Sequence, residues 1–413
     1  MGAAGLLSLL CTLGCGSSNA ERPYSDAGAP GPGGAAAGAP AGGASGPSGG
    51  SGSGGAAGTS TGGTSAGGSS SGGTGPLPSG DDAGAPPGGG DGAGGLDGAP
   101  TACTPEIVAA CDAPAPEAPA RRPWHSLTSA LIAAGGARHR GHDLFLTPQS
   151  PQWLIARVAY GLFDAALPGE EVDVFLLRGC GNSWEKLGTA IVTGNGEHAP
   201  VEGVPDPGGR VYFPIPADKR LALGRHRVRF VVAGDGSATE AFVEVRAAGT
   251  AVAVIDVDGT LTTSESAEFG ALLTGKLPTA EPEAARALSL LPGVGYRLLY
   301  LTARPEWLTG RTREFLSAAG FPPGIVETTA GGSGALGADA ARFKTEALAR
   351  LAGKGLRPAL AIGNTDTDAE AYAAANIEPA QRRIFLRFTD SAHGGRRIEG
   401  YGDVLADFSQ LCP

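Results

Sequence analysis

The stretch Ala251-Val-Ala-Val-Ile-Asp256-Val-Asp258-Gly259-Thr260-Leu-Thr262 places two carboxylates one residue apart, directly after an unbroken apolar run, with Gly and Thr following at once. An apolar run without alternation reads as a strand buried on both faces, as a parallel sheet covered by helices requires. Carboxylates at the carboxyl end of such a strand fall in the crevice where open α/β sheets bind ligands, a place for a metal ion and a nucleophile. A plainer reading is a surface turn, since Asp and Gly both favour turns. A calcium loop of the EF-hand kind does not fit, because it needs its Gly at the sixth position and polar residues between its ligands.

Three further motifs follow in order. The run Tyr296–Leu301 ends in Thr302-Ala303-Arg304-Pro305, where a hydroxyl can donate to a phosphate oxygen and Pro305 can open a helix; Thr302 could equally be a helix cap. Arg342-Phe-Lys344-Thr-Glu-Ala-Leu348 reads as an amphipathic helix whose Lys344 either points into a site or is solvated. After the apolar run Ala359–Ile362 comes Gly363-Asn364-Thr365-Asp366-Thr367-Asp368, oxygen-bearing side chains of the kind Mg²⁺ takes while keeping water and phosphate in its other positions. Each motif has a bland alternative; together, four polar groups end successive strand or helix units of one region.

The elements that must position them are also legible. From residue 249 to 413, apolar runs alternate with helical stretches at Glu281–Leu291, Thr309–Ala319, Phe343–Leu351 and Thr367–Ala375, which predicts βαβ units around a parallel sheet with right-handed crossovers. A loop is expected after Ala319. Residues 142–248 instead show short alternating segments broken by turns: Asp143–Thr147, Leu154–Phe163, Val172–Leu177, Arg210–Pro214, His226–Val232 and Thr239–Val245. That pattern predicts an all-β sandwich. Residues 103–141 read as a connecting segment with a short helix around Ser126–Ala134, and Arg138-His-Arg-Gly-His142 reads as a solvated basic loop rather than a metal or phosphate site.

Ahead of this, residues 16–102 are so rich in Gly, Ala, Ser and Pro that they leave almost nothing to bury, and they read as a disordered tether. The formal net charge of -10 argues against an electrostatic grip on nucleic acid or on anionic lipid surfaces. Ala3–Leu13 is apolar but too short to span a bilayer, and with Thr12-Leu13-Gly14-Cys15 it resembles a bacterial lipoprotein signal. That resemblance implies residues 1–15 as signal, Cys15 as the lipidated residue, and an exported protein anchored by lipid to a bacterial cell membrane. Export would set Cys103, Cys111, Cys180 and Cys412 in an oxidising compartment. Cys103 with Cys111 is the simplest pairing, leaving Cys180 and Cys412 to meet or stay as thiols. Zinc is the rival, without a CxxC pair and with the His residues scattered.

The order DxDGT, strand plus Thr, Lys, then GNxxxD resembles the haloacid dehalogenase-like phosphatases. Within them it looks most like the lipin type, which also forms the C-terminal region of the membrane-associated phosphatidylinositol transfer proteins. The residues carrying this are Asp256–Thr262, Tyr300–Pro305, Phe315-Leu316 with Gly320–Gly324, Phe343-Lys344, and Gly363-Asn364 with Asp368–Tyr372. In the sandwich region His142–Pro148, Gly209–Pro216 and Gly224–Val228 extend it. The resemblance implies a Rossmann-like α/β fold and a Mg²⁺-dependent phosphatase in which Asp256 is the nucleophile and Asp258 the acid and base. It also implies Thr302 and Lys344 as further catalytic residues holding phosphate oxygens. Gly259, Thr260 and Arg304 would bind substrate, and Asp256, Asp258, Asn364 and Asp368 the metal. Between Thr262 and Tyr296 there is no room for a large cap domain, so an open site suited to a phosphate on a large ligand is expected, with phosphatidate as the lipid or small-molecule phosphomonoester the resemblance favours. The alternative is a non-catalytic module that binds phosphatidate without turning it over.

Overall fold

The computed structural model describes residues 108–264, 266, 270–271 and 274–412; the expected signal, Cys15, the tether and Cys103 lie outside the described residues.

Alternating apolar and polar side chains from residue 140 to 245 build two facing sheets, as a half-buried strand pattern demands. The strands are β1 (Arg140–His142), β2 (Leu144–Leu146), β3 (Trp153–Arg157), β4 (Ala159–Tyr160), β5 (Ala165–Ala166), β6 (Glu171–Leu177), β7 (Trp184–Ile191), β8 (Arg210–Pro214), β9 (Gly224–Val232) and β10 (Ala238–Val245). One sheet runs β1-β3-β8, the other β2-β10-β9-β6-β7, and β4 and β5 form a small ribbon. Between the sheets lie Leu154, Val174, Leu176, Val211, Val228 and Phe230, none more than 1% exposed. Burying each such side chain stabilises the fold by roughly 1.5–3 kcal/mol.

From residue 251 the character changes to a parallel six-stranded sheet, β11 (Ala251–Ile255), β12 (Arg297–Pro305), β13 (Ile325–Thr329), β14 (Arg357–Gly363), β15 (Arg383–Leu386) and β16 (Arg396–Ile398). Its order is β13-β12-β11-β14-β15-β16, so β11 is central and its carboxyl end is flanked by those of β12 and β14. All five residues of β11 are buried, with Ile255 packed into one layer and Val252 and Val254 into the other, which is why the run is apolar without alternation. Helices Ala284–Gly293, Thr309–Ala318, Ala338–Gly353 and Asp366–Ala374 fill the crossovers.

Residues 92–413 form one compact unit, and buried ion pairs lock the sandwich to the parallel sheet within it. Glu306, 4% exposed, accepts from Arg140 at 2.9 Å and from Arg210 at 2.7 Å, with Arg157 3.7 Å away. Asp143 accepts from Arg313 at 2.5 Å, from the Phe242 amide at 2.6 Å and from the Val326 amide at 3.2 Å. Phe145 of β2 completes the hydrophobic layer that holds Val252 and Leu348.

Several expectations are corrected. The basic segment 138–142 is not a solvated loop: Arg140 is buried in β1, and burial pushes the His139 imidazole down to about 4 and the His142 imidazole to about 3, the latter helped by surrounding guanidinium groups. The expected strand Leu154–Phe163 breaks after Arg157. Trp184–Ile191 is an unforeseen strand, broken in pattern by Gly188, where the Phe213 ring comes within 3.0 Å of the position a Cβ would take. The loop expected after Ala319 contains β13. Cys111 pairs with Cys180, not with Cys103, at a Cα separation of 4.5 Å across 69 positions, and Cys412 is also disulfide-bonded.

Candidate active site

Asp256 follows β11 directly, and its backbone N–H continues the ladder to the Ile362 carbonyl at 2.9 Å, so its side chain leaves the sheet at the carboxyl edge. The carboxylate is 4% exposed, and both oxygens are held: Oδ1 accepts from Lys344 Nζ at 2.7 Å, and Oδ2 from the Thr260 hydroxyl at 2.9 Å. Gly259 turns the chain with φ 71°, a value only Gly takes cheaply, and this brings Thr260 back over Asp256. The Tyr401 hydroxyl donates to the Thr260 carbonyl at 3.0 Å and fixes the turn from below.

Lys344 reaches the site from the middle of the helix Ala338–Gly353, where it is 4% exposed, and it also donates to Asp368 Oδ1 at 2.6 Å. Burial alone would lower the ammonium pKa, but the carboxylates of Asp256 and Asp368 outweigh it and hold Lys344 above the ordinary lysine range. Asp368 sits at the third position of the helix Asp366–Ala374 in a capping box with Thr365. Its Oδ2 accepts from the amides of Asn364 and Thr365, each at 3.1 Å, and from the Thr365 hydroxyl at 2.8 Å. Gly363 permits this close turn, because a Cβ there would lie 2.6 Å from Asp368.

Asp258 is held differently. Arg304, 5% exposed, donates through Nε at 2.9 Å and through a terminal nitrogen at 2.7 Å to its two oxygens, and the Thr302 hydroxyl donates at 3.1 Å. Arg304 also reaches the Thr312 hydroxyl at 2.9 Å. The guanidinium of Arg304, expected to bind substrate, thus also contacts Asp258 and Thr312. Thr302 likewise faces Asp258.

Burial pushes the Asp256 carboxyl up to about 7; Lys344 opposes this, and the neighbouring charges of Asp368 and Asp258 add to it. Three carboxylates thus meet two cations, Lys344 and Arg304. Thr260 has one hydroxyl proton but stands 2.9 Å from both Asp256 Oδ2 and Asn364 Oδ1. Two oxygens that share one proton, within an excess of negative charge, fit a small divalent cation that takes one or two protein oxygens and keeps its other positions for water and phosphate. Asp256 and Asp368 both have their two oxygens engaged within the protein. Among the described residues no group of three or more His, Cys, Asp or Glu forms an all-protein metal cage, which Mg²⁺ does not require.

Of the residues singled out from sequence, the fold brings Asp256, Asp258, Gly259, Thr260, Thr302, Arg304, Lys344, Asn364 and Asp368 to one edge. Tyr401, Thr312 and Glu306 were missed. Tyr401 lies far from the motifs in sequence, Glu306 directly follows Pro305 and Thr312 stands eight positions after Arg304, but no local pattern marks any of them.

Comparisons with known proteins agree with this layout. Residues 253–386 match the family model described as PITM 1-3, LNS2 domain, and residues 137–245 match that described as PITM 1-3, beta-sandwich domain. Membrane-associated phosphatidylinositol transfer protein 1 of Homo sapiens is 29% identical over 305 residues, covering 73% of this chain and 22% of that protein. Membrane-associated phosphatidylinositol transfer protein 2 of Homo sapiens is 30% identical over 61% of this chain and 17% of its own length, and Protein retinal degeneration B of Drosophila melanogaster is 28% identical over 68% and 20%. The chain therefore spans about a fifth of the length of these relatives. They overturn the reading of a signal-bearing bacterial lipoprotein, exported and lipid-anchored to a bacterial membrane: they are animal proteins, those from Homo sapiens named as membrane-associated transfer proteins. Among the described residues no helix is long and apolar enough to cross a membrane. In their β-sandwich and HAD-like LNS2 regions, in that order, residues 137–245 and 253–386 are similar to the membrane-associated phosphatidylinositol transfer proteins.

Proposed function

We propose that this edge is the active site of a Mg²⁺-dependent phosphomonoesterase acting on a lipid phosphate of the phosphatidate class. The observation that carries the reading is the Asp256 carboxylate, buried, with one oxygen on Lys344 and the other on a hydroxyl shared with Asn364. Ionised Asp256 attacks phosphorus, the bond from phosphorus to the ester oxygen breaks, and the departing alkoxide takes a proton from Asp258. Water then attacks the aspartyl-phosphate, giving its proton to Asp258 and releasing phosphate and Asp256. Lys344 holds Asp256 in place and offsets the negative charge that gathers there. Asp256, the Asp258 backbone carbonyl and Asn364 would hold Mg²⁺, whose charge screens the repulsion between carboxylate and phosphate. The relatives' names tie them to phosphatidylinositol, which supports a phospholipid ligand.

A second reading, a module that binds phosphatidate without hydrolysing it, is favoured by the contacts of Asp258. Arg304 and the Thr302 hydroxyl already occupy both oxygens of Asp258, the group that would have to pass a proton to the leaving alkoxide. Phosphate release from phosphatidate in mixed micelles and from a soluble aryl phosphate, with Mg²⁺ or with EDTA, separates the two. The enzyme releases phosphate only with Mg²⁺, and Asp256→Asn abolishes release with circular dichroism unchanged. Binding of phosphatidate without release by the folded wild type would leave the second reading.

A further inference from the structure

A water-exposed surface seldom carries clustered large apolar side chains unless something covers them. Leu127 and Leu131 are 96% and 77% exposed, and Leu162 and Phe163 are 87% and 96% exposed. The first pair is spaced four residues apart at the short helix Ser129–Ala133, and the second forms the tip of the turn between β4 and β5. The two features touch: the Gly161 amide donates to the Gly136 carbonyl at 2.9 Å, and a Cβ on Gly135 would meet Gly161 Cα at 3.0 Å. The exposed set continues toward the site. Arg138, tied to the Ala159 carbonyl at 2.8 Å, lies over the Trp307 ring at 5.9 Å. Trp307, 37% exposed, donates to the Gly332 carbonyl at 2.8 Å. The loop after Gly332 folds onto Ala303 through the Ala335 amide at 2.9 Å and presents Leu336, 89% exposed. Trp307 and Leu336 thus stand on loops at the carboxyl edge of the parallel sheet, where Asp256 and Asp258 also lie.

The chain carries a formal net charge of -10, but two guanidinium groups beside these tips are not offset by a carboxylate among the described residues. Arg122, Arg140, Arg157, Arg178, Arg227 and Arg229 are all ion-paired. Arg121 and Arg138 have no carboxylate partner among the described residues. Arg121 lies beside Gly236, next to Asp235, which accepts from the Tyr160 hydroxyl at 2.9 Å at the base of the Leu162 turn. Projecting apolar tips flanked by uncompensated guanidinium groups complement a surface with an apolar interior and phosphate at its boundary. Residues 16–102 are a poor occupant, since they offer only Tyr24, Leu77 and Leu96 as large apolar side chains.

We propose that this face docks on an anionic phospholipid bilayer, with Leu162 and Phe163 entering the interface and Arg121 and Arg138 meeting lipid phosphates. The docking orients the carboxyl edge of the sheet toward the lipid headgroups, and it holds whether or not the site turns its ligand over.

The test is co-sedimentation of the full chain with phosphatidylcholine vesicles, with and without phosphatidate. Wild type binds, more strongly with phosphatidate. Leu162→Asp/Phe163→Asp lowers the partition coefficient by about tenfold or more, because two apolar side chains no longer leave water. Arg138→Glu removes the phosphatidate-dependent part. The milder Leu162→Ser/Phe163→Ser pair guards against misfolding, checked by circular dichroism. Absence of vesicle binding by wild type, or unchanged binding by the folded double variants, overturns the proposal. So does a dimer in sedimentation velocity that the same variants dissociate, which would make a second copy the occupant. Aryl phosphate turnover, read separately, reports on the catalytic reading alone.

Discussion

Replacing Lys344 with Met isolates the electrostatics of the site. Met keeps the length of the side chain and suits a helix interior, so the change is chiefly the loss of a charge. Lys344 lies 2.7 Å from Asp256 and 2.6 Å from Asp368 and is nearly inaccessible to water. Taking one partner from a buried ion pair leaves a charge uncompensated and costs about 3–5 kcal/mol. The loss depends on pH, and its sign follows from Asp256. A carboxyl whose pKa is raised by folding, here to about 7, contributes stability that is present below its ordinary value and lost as pH rises through the folded value. Without Lys344 the Asp256 pKa climbs further, each added unit being worth about 1.4 kcal/mol, and a proton then stands in for the missing ammonium. Urea denaturation at about pH 8 should show the full loss and at about pH 5.5 a smaller one. Combining Lys344→Met with Asp256→Asn should restore more than the sum of the single changes predicts. An equal loss at both pH values would refute the charge argument and leave packing as the cause; no loss at either would refute the ion pair itself.

Glu306→Ala leaves Arg210 buried without its carboxylate and Arg140 with Asp164 alone, and should cost about 3–5 kcal/mol, read as a lower urea midpoint. Cys111→Ser with Cys180→Ser opens a link across 69 positions and should cost up to about 4 kcal/mol, with reduced wild type losing at least as much in thermal melts because the Cys412 disulfide opens too. Gly363→Ala pushes a methyl against Asp368, which the fold cannot yield cheaply, and should destabilise by about 1–3 kcal/mol while Gly353→Ala, in open space, does not.

Much of the architecture could be read from periodicity. The apolar runs of β11, β12 and β14 are continuous because both faces of those strands are buried, and the alternation of β9 and β10 reflects a sheet with one face inside. β13 was illegible because it is short and follows Pro-Pro-Gly, and β7 because a Gly interrupts it where an aromatic ring needs the space. The basic segment 138–142 misled for a related reason: a string of Arg and His reads as solvated unless the carboxylates that neutralise it are known, and Asp164 and Glu306 come from elsewhere.

The candidate site divides the same way. Sequence alone placed Asp256 and Asn364 just past the ends of β11 and β14, and parallel strands send those ends to one edge, whereas Thr302 lies inside β12, which runs on to Pro305. The capping box of Thr365 and Asp368 joins residues three apart, yet the sequence reading misses it, because it makes Asp368 a metal ligand and starts the helix at Thr367. Only the tertiary structure decided partnership. That Lys344 stands between two carboxylates, that Arg304 clamps Asp258, that Cys111 meets Cys180, and that Glu306 anchors the sandwich are pairings across tens to hundreds of residues. Local chemistry cannot choose among such partners, because the energy of a charge depends on what burial places beside it.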